Sequence, residues 1–404
     1  MNPFQIAYAR TFQFVMRLAA YFLNFKRPRT IETEPAGPAL VAIAKTRGLL
    51  RFLLVTDPGL TKIKLHEPLV QSLTEADLKV VIYDQTVANP TIDNIENALT
   101  LYHINDCQAL IGFGGGSAID CAKGVYARIA RPRKSISEMR GLLKVGHRRS
   151  ILIAVPTTAG TGSEATLAAV VTDARTHEKY ALNDPCLIPN YAILDVSLTY
   201  KLPPHITAAT GMDALTHAVE AYIGRANTRN TRRAALKAIS LINGNLYKAY
   251  ANSLDVNARR NMQRAALEAG VAFTRAYVGH VHCLAHQLGG YYQVPHGLAN
   301  AVILPIVLTE LGVHAERKLA QLADYLSLTT KGADRAAKAQ AFIAWIDNLN
   351  DKMKLTNEFG HLIKDEDIPI LAARAFKEGF PLYPLPELWP HSRYEAIYKR
   401  LQKE

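Results

Sequence analysis

Up to the pair Pro203-Pro204 the chain alternates short β-forming runs with helical patterns, and after it the β-forming runs stop. No other feature narrows the fold as much. The runs Arg51 to Thr56 (RFLLVT), Lys79 to Tyr83 (KVVIY) and Ala109 to Phe113 (ALIGF) are separated by helical patterns around Leu65 to Ala76 and Thr91 to His103. Apolar strands that alternate with helices predict a mostly parallel sheet covered on both faces. Three more runs, Ile151 to Val155, Ala168 to Thr172 and Tyr191 to Leu194, are expected to continue it as a mixed sheet. Beyond residue 203 apolar residues recur at helical spacing almost to the end. The expected organisation is an extension over 1–30, an α/β domain over 31–202 and an all-α domain over 203–404.

A chain of 404 residues, 49% hydrophobic and 20% charged, can bury a large core and falls in the ordinary globular range. That balance excludes a disordered, collagenous or polytopic membrane protein. Cys107, Cys121, Cys186 and Cys283 are far apart and form no CxxC, which argues against a disulfide framework or a cysteine zinc site. A reducing compartment, the cytoplasm by default, is expected. The net charge of +12 first suggests a nucleic-acid partner, but it is concentrated. Residues 1–51 carry +6 and residues 128–149 carry +7, so the rest is almost neutral and no nucleic acid is expected as a partner. The 128–149 segment reads as a solvated loop, or as a patch that steers an anionic ligand if it borders a binding mouth.

The first thirty residues hold Phe4, Tyr8, Phe12, Phe14, Tyr21, Phe22 and Phe25, five basic residues and no acid. Gln5, Arg10, Gln13 and Arg17 interrupt every apolar run, so a transmembrane span, which needs about 20 apolar residues, is not expected. Arg17 and the lack of a small-residue cleavage site speak against a signal peptide. Three readings stay open: a helix packed on its own or a partner subunit, an interfacial helix making peripheral membrane contact through residues 1–30, and an organelle transit peptide.

Two turns in the α/β half have phosphate-binding chemistry. Gly114-Gly115-Gly116-Ser117 lies between a strand and a helix, where glycines let a phosphate approach the backbone and the helix start aims its N–H groups at it. Pro156-Thr157-Thr158-Ala159-Gly160-Thr161-Gly162-Ser163-Glu164 also follows a buried strand, and its hydroxyls can bond phosphate or a carboxamide. An open α/β sheet binds its ligand at such strand ends. Each turn also has a plainer reading, as a tight βα turn and as an N-cap. Asp57, ending the first clear strand, can accept from ribose hydroxyls and repel a 2′-phosphate, although Asp-Pro-Gly is also a common turn.

The helical half holds Asp213 and His217 four residues apart, hence one turn apart on one helix face, then His282 and His286 at the same spacing, then His296 in a Pro-His-Gly turn. A carboxylate with several imidazoles suits a divalent zinc or iron ion. Nucleotide on one domain and metal on the other point to metal-assisted alcohol/carbonyl redox chemistry, with hydride carried by a nicotinamide.

At this point GGGSAIDCAK (114–123), PTTAGTGSEAT (156–166), GMDALTHAVEAY (211–222) and HCLAHQLGGYYQVPHGLANAVILP (282–305) resemble, in the same order, the signature segments of the iron-containing (group III) alcohol dehydrogenase family. The resemblance runs from about residue 50 onward and implies the dehydroquinate synthase-like fold of that family. It implies Asp213, His217, His282 and His296 as metal ligands, with His286 beside metal and substrate as the catalytic histidine. For the cofactor it implies Asp57, Asn89, Gly114, Gly115, Gly116, Ser117, Thr157, Thr158, Thr161 and Lys179. The activity implied is an NAD-dependent alcohol dehydrogenase or aldehyde reductase with Fe²⁺, Zn²⁺ being the alternative ion and NADP the less favoured cofactor. A small alcohol or aldehyde is the implied substrate, and a homodimer or larger homo-oligomer the implied assembly. An NAD-using lyase or a hydroxyacid-oxoacid transhydrogenase on the same scaffold is the rival enzyme, and a membrane-associated assembly protein with vestigial activity the rival from another class. The 1–30 arm has no counterpart in the family pattern, and the 128–149 connection is more basic than that pattern leads one to expect.

Overall fold

The apolar runs of the first half become the inner strands of one parallel sheet. The computed structural model describes every residue except 24, 148, 149, 177, 331 and 404. In chain order this half contains helix α1 (Pro3–Ala19), β1 (Arg29–Thr33), α2 (Ala36–Arg47), β2 (Arg51–Val55), α3 (Pro58–Lys62), α4 (Glu67–Thr74), β3 (Lys79–Tyr83), α5 (Ile92–Ile104), β4 (Ala109–Gly114), α6 (Gly116–Ala130), β5 (Gly141–Leu142), β6 (Ile151–Pro156), β7 (Ala168–Asp173), β8 (Glu178–Asn183) and β9 (Tyr191–Asp195). Six strands in the order β1-β9-β6-β4-β2-β3 pair in parallel throughout. Side chains alternate across a strand. Phe52 and Leu54 of β2 therefore join Leu40, Ile43, Leu69 and Leu73 of α2 and α4 on one face, while Leu53 and Val55 join Ile95, Leu99 and Val125 of α5 and α6 on the other.

The run at 168–172, expected in the main sheet, lies in a second sheet of order β5-β8-β7, with β7 antiparallel to β8. Its alternating burial is the reason: β7 is covered fully on one side only, whereas β4 is buried at every position. Strand β1 carries no apolar run. Its sequence RTIET is mostly exposed at the sheet's edge, so it gave no signal by composition. Several cations of the basic 128–149 segment are committed locally. Arg128 pairs with Glu96 at 2.7 Å, Arg131 donates to the Val145 carbonyl at 2.7 Å, and Arg140 pairs with Glu178 at 2.7 Å. Arg148 and Arg149 of that segment lie outside the described residues.

The second half contains α7 (Pro204–Ile223), α8 (Arg229–Ala251), α9 (Val256–Ala276), α10 (His280–Tyr292), α11 (His296–Leu311), α12 (Val313–Leu326), α13 (Arg335–Lys352), α14 (Ile368–Gly379) and α15 (His391–Lys403). Among the described residues no strand follows β9, and no single helix is long and apolar enough to cross a membrane. Helix α7 is buried at every position from Gly211 to Ile223, because α8, α9 and α11 all pack on it. Close approach of α8 is possible only where α7 has no side chain: a Cβ on Gly211 would lie 2.2 Å from Leu246 Cδ1.

Contacts divide the chain into Asn24–Leu202 and a second unit of Met1–Leu23 with Pro203–Glu404. The aromatic arm thus folds as α1 onto the helical unit. Asn2 and Gln5 close a capping box at its start. Arg10 donates to the Leu385 and Pro386 carbonyls at 2.9 and 3.3 Å, and Gln13 to those of Pro381 and Tyr383 at 3.0 and 2.7 Å. Burial, with Arg225 nearby, lowers the Arg10 pKa to about 10.

Candidate active site

Every cofactor residue inferred from sequence falls at the carboxyl ends of β2, β4 and β6 or on the strands and turns beside them. Gly114 has φ +147°, a conformation that L side chains rarely adopt. The two Gly/Thr turns face each other. A Cβ on Gly115 would lie 3.6 Å from Thr158, and one on Gly116 would lie 2.7 Å from Thr161 Cγ2, while Thr157 N–H donates to the Gly114 carbonyl at 3.0 Å. Helix α6 begins at Gly116 with no side-chain cap, so its first N–H groups are left for a ligand. Asn89 N–H donates to Ser117 Oγ at 3.2 Å, and Lys179 Nζ donates to Asn89 Oδ1 at 2.7 Å, which joins Asn89, Ser117 and Lys179 in one chain. Asp57 caps α3 through Leu60 N–H at 3.0 Å, so the turn reading of this residue is also correct.

Sequence reasoning passed over the group that pins these turns together. Lys123 is fully buried and donates to Ser163 Oγ, Thr166 Oγ1 and the Ala168 carbonyl at 2.9, 2.8 and 2.7 Å. Asp120 accepts from Ser163 Oγ at 2.5 Å and from Val170 N–H at 3.1 Å. Burial lowers the Lys123 pKa to about 8 against the attraction of Asp120, and raises that of Asp120. The i,i+3 pair inside GGGSAIDCAK was the available signal, masked by the glycines before it.

In the helical unit, Asp213, His217 and His282 bring one ligand atom each within 4.8 Å of one another, and all three are buried. Asp213 Oδ1 lies 3.7 Å from His217 Nδ1, 3.7 Å from His282 Nε2 and 3.4 Å from His296 Nε2. Helix α7 supplies the i,i+4 pair, α10 supplies His282, and His296 is the first residue of α11. His217 is held between the rings of Phe273 and His282, at centroid distances of 4.1 and 4.4 Å. Burial, with the charges of His282 and His286, lowers its pKa to about 3, so it stays neutral and keeps a lone pair. Burial opposes ionisation of Asp213, but the three imidazoles overcome it and hold the carboxyl below the usual range.

Three further residues complete this cluster without having been read from sequence. Buried Glu220 accepts from His282 Nδ1 at 2.6 Å and from the Gly279 and Val281 N–H groups at 2.7 and 2.8 Å, leaving Nε2 to face Asp213. Burial would lower the His282 pKa, yet Asp213 and Glu220 raise it to about 9, so a proton competes with a cation for Nε2. Asn300 Nδ2 lies 2.7 Å from Asp213 Oδ1, 3.1 Å from His296 Nε2 and 3.3 Å from His282 Nε2. Glu378 Oε1 is 2.6 Å from His286 Nδ1 and also accepts from the Tyr383 hydroxyl at 3.2 Å. The His286 ring stacks on His296 at 5.1 Å.

The donor set fits a divalent ion. Two donors each about 2.1 Å from a tetrahedral ion are about 3.4 Å apart, close to the spacings around Asp213 Oδ1. His217 Nδ1 is buried with no hydrogen-bond partner, and the two N–H bonds of one Asn300 amide face three acceptor atoms. A surplus of buried lone pairs is what a cation would satisfy.

Residues 29–196 match the model of the iron-containing alcohol dehydrogenases, and residues 207–401 match that of the C-terminal domain of the Fe-containing alcohol dehydrogenase family. The chain belongs to the iron-containing alcohol dehydrogenase family. It is 37% identical to alcohol dehydrogenase 4 of Schizosaccharomyces pombe over 88% of this chain and 83% of that one. The crystal structure of a 1,3-propanediol oxidoreductase superposes with a TM-score of 0.89 at 34% identity, covering 94% of this chain and 99% of that one. A sulfoacetaldehyde reductase from Bifidobacterium kashiwanohense, solved in complex with NAD⁺, has a TM-score of 0.81 at 26% identity over 94% and 98% of the two chains. As a family member the chain is an oxidoreductase of the alcohol dehydrogenase class.

Proposed function

We propose that this family member is an NAD-dependent alcohol dehydrogenase or aldehyde reductase in which Asp213, His217, His282 and His296 hold Fe²⁺. The convergence of the buried Asp213, His217 and His282, with His296 Nε2 3.4 Å from Asp213 Oδ1, carries this reading. When bound, Fe²⁺ polarises the oxygen of an alcohol or carbonyl, and NAD accepts or returns the hydride. Glu220 sets the His282 tautomer, and Asn300 holds Asp213 by its amide. Glu378 accepts the His286 Nδ1–H hydrogen bond, which leaves Nε2 to exchange a proton with the substrate hydroxyl. Gly115, Gly116 and Ser117 receive the pyrophosphate at the start of α6; Thr157, Thr158 and Thr161 line the dinucleotide, with Asn89 and Lys179 beside it. Asp57 favours NAD over NADP by repelling a 2′-phosphate.

Zn²⁺ suits the same ligands, so metal identity is part of the test. A homodimer or larger homo-oligomer belongs to this reading and is supported by β1, an edge strand of the kind on which a second chain adds. The cytoplasm is the compartment that fits four buried cysteines outside any disulfide. The experiment is metal analysis of purified protein with NAD and NADP assays across short and long alcohols and aldehydes. Substoichiometric metal with full turnover would overturn the reading.

A further inference from the structure

Helix α1 presents two apolar faces, and the protein covers only one. Buried Ala9 and partly buried Gln13, Met16 and Ala20, spaced as one helical face, lie toward the body, where Gln13 bonds the Pro381 and Tyr383 carbonyls. On the opposite side Phe4, Val15, Leu18 and Phe22 recur at helical spacing, with Phe14 beside them and Tyr8 at the margin, where its ring lies 6.1 Å from that of Phe380. All are exposed, Phe4 at 86% and Phe22 at 91%. Thr11 is the one polar residue in that row. Helical hydrogen bonding continues past the last turn, from Tyr21 and Phe22 N–H to the Leu18 and Ala19 carbonyls, so Phe22 stays in line. Both family matches leave α1 outside, since they begin at residues 29 and 207.

The row is about 27 Å long and, at the width of one helix, offers roughly 300 Å². A stable dimer needs about 800 Å² from each partner, so a second copy seated on this row alone would be underfed. Charge favours a different occupant. Helix α1 carries Arg10 and Arg17 and no acid, and Arg17 is exposed at the edge of the row, one turn after Phe14. Phenylalanines and leucine in a row, tyrosines at its margins and basic residues without acids are the chemistry of a helix lying in the surface of an anionic bilayer.

We propose that α1 is a membrane-docking helix whose outward row enters the acyl boundary of an anionic lipid surface while Arg17 at its edge meets the phosphates. The hydrogen bonds of Arg10 and Gln13 fix it to the helical unit, so docking orders no flexible tail. The test is flotation of the full chain with phosphatidylcholine vesicles, with and without phosphatidylglycerol. Wild type floats with the anionic vesicles at least about tenfold more than with the neutral ones. The variant Phe4→Ser/Phe14→Ser/Leu18→Ser/Phe22→Ser loses about tenfold or more of that binding while keeping turnover on a short soluble alcohol. Arg17→Glu, a second variant that leaves the apolar row intact, loses the preference for anionic vesicles. Wild type staying in the aqueous phase, or the serine variant floating as well as wild type, overturns the proposal. So does a vesicle-free dimer that the serine variant dissociates, which would assign the row to a second copy.

Discussion

The glycine turns of the parallel-sheet unit and the imidazole cluster of the helical unit are built on opposite means. In the turns the working groups are backbone N–H donors, and the side chains that matter are absent ones: Gly114 at φ +147° and Gly116 against Thr161. In the cluster the working groups are side-chain lone pairs, held by a shell of Glu220, Asn300 and Phe273 that touches them within van der Waals or hydrogen-bond range. A turn of the first kind fails by gaining atoms, and a cluster of the second kind by losing them. Substitutions can therefore separate the two.

The largest effect is expected from Asp213→Asn, which keeps the shape but removes the charge at the centre of the three imidazoles. Turnover should fall by at least about 10³-fold, or about 4 kcal/mol, with loss of bound metal and unchanged NAD affinity. Retained metal would break the division of labour. Next comes Gly116→Val, which pushes Thr161 aside. The KM for the dinucleotide should rise about 10²-fold, the scale of a 1 Å misplacement, while metal content stays at the wild-type level. Glu220→Gln sharpens the cluster side. An amide has one acceptor oxygen where the carboxylate has two, so it cannot hold the His282 Nδ1 proton together with both the Gly279 and Val281 N–H groups, and metal affinity should drop about 10- to 100-fold by competitive chelation, with a thermal melt checking that the fold survives.

A last effect, on stability and not on turnover, concerns Glu164, buried in the second turn, where burial raises the pKa to about 7 against a backbone hydrogen bond and Lys123. Between about pH 4.5, its unfolded value, and pH 7 the folded protein binds the extra proton. Stability is then highest below that window and falls as pH rises through it, by at most about 1.4 kcal/mol per unit. Glu164→Gln should flatten that slope in urea midpoints measured from pH 5 to pH 8. A variant with the wild-type slope would locate the titration elsewhere.

Legibility followed the same split. Asp213 with His217, and His282 with His286, could be read because four-residue spacing stacks side chains on a helix whatever surrounds it. His296 was legible by its Pro-His-Gly turn and falls 3.4 Å from Asp213. Glu220, Asn300 and Glu378 went unread. Glu220 and Glu378 are 62 and 92 residues from the histidines they serve, and Asn300, though one turn after His296, makes its shortest bond to Asp213, 87 residues away. The strand run at 168–172 was read as a strand but placed in the wrong sheet, since pairing partners are a long-range property.

What the sequence determined by itself are the local quantities: which segments are strands or helices, which glycines free the backbone, and which donors share a helix face. These depend on dihedral preference and on periods of two and 3.6 residues, which act within a few positions. Tertiary structure alone decided that Lys123 ties the second turn to α6, that a buried carboxylate sets the His282 tautomer, and that one face of α1 is covered and the other is not. Those outcomes come from burial. Burial depends on which distant segments meet, and only the folded chain brings them together.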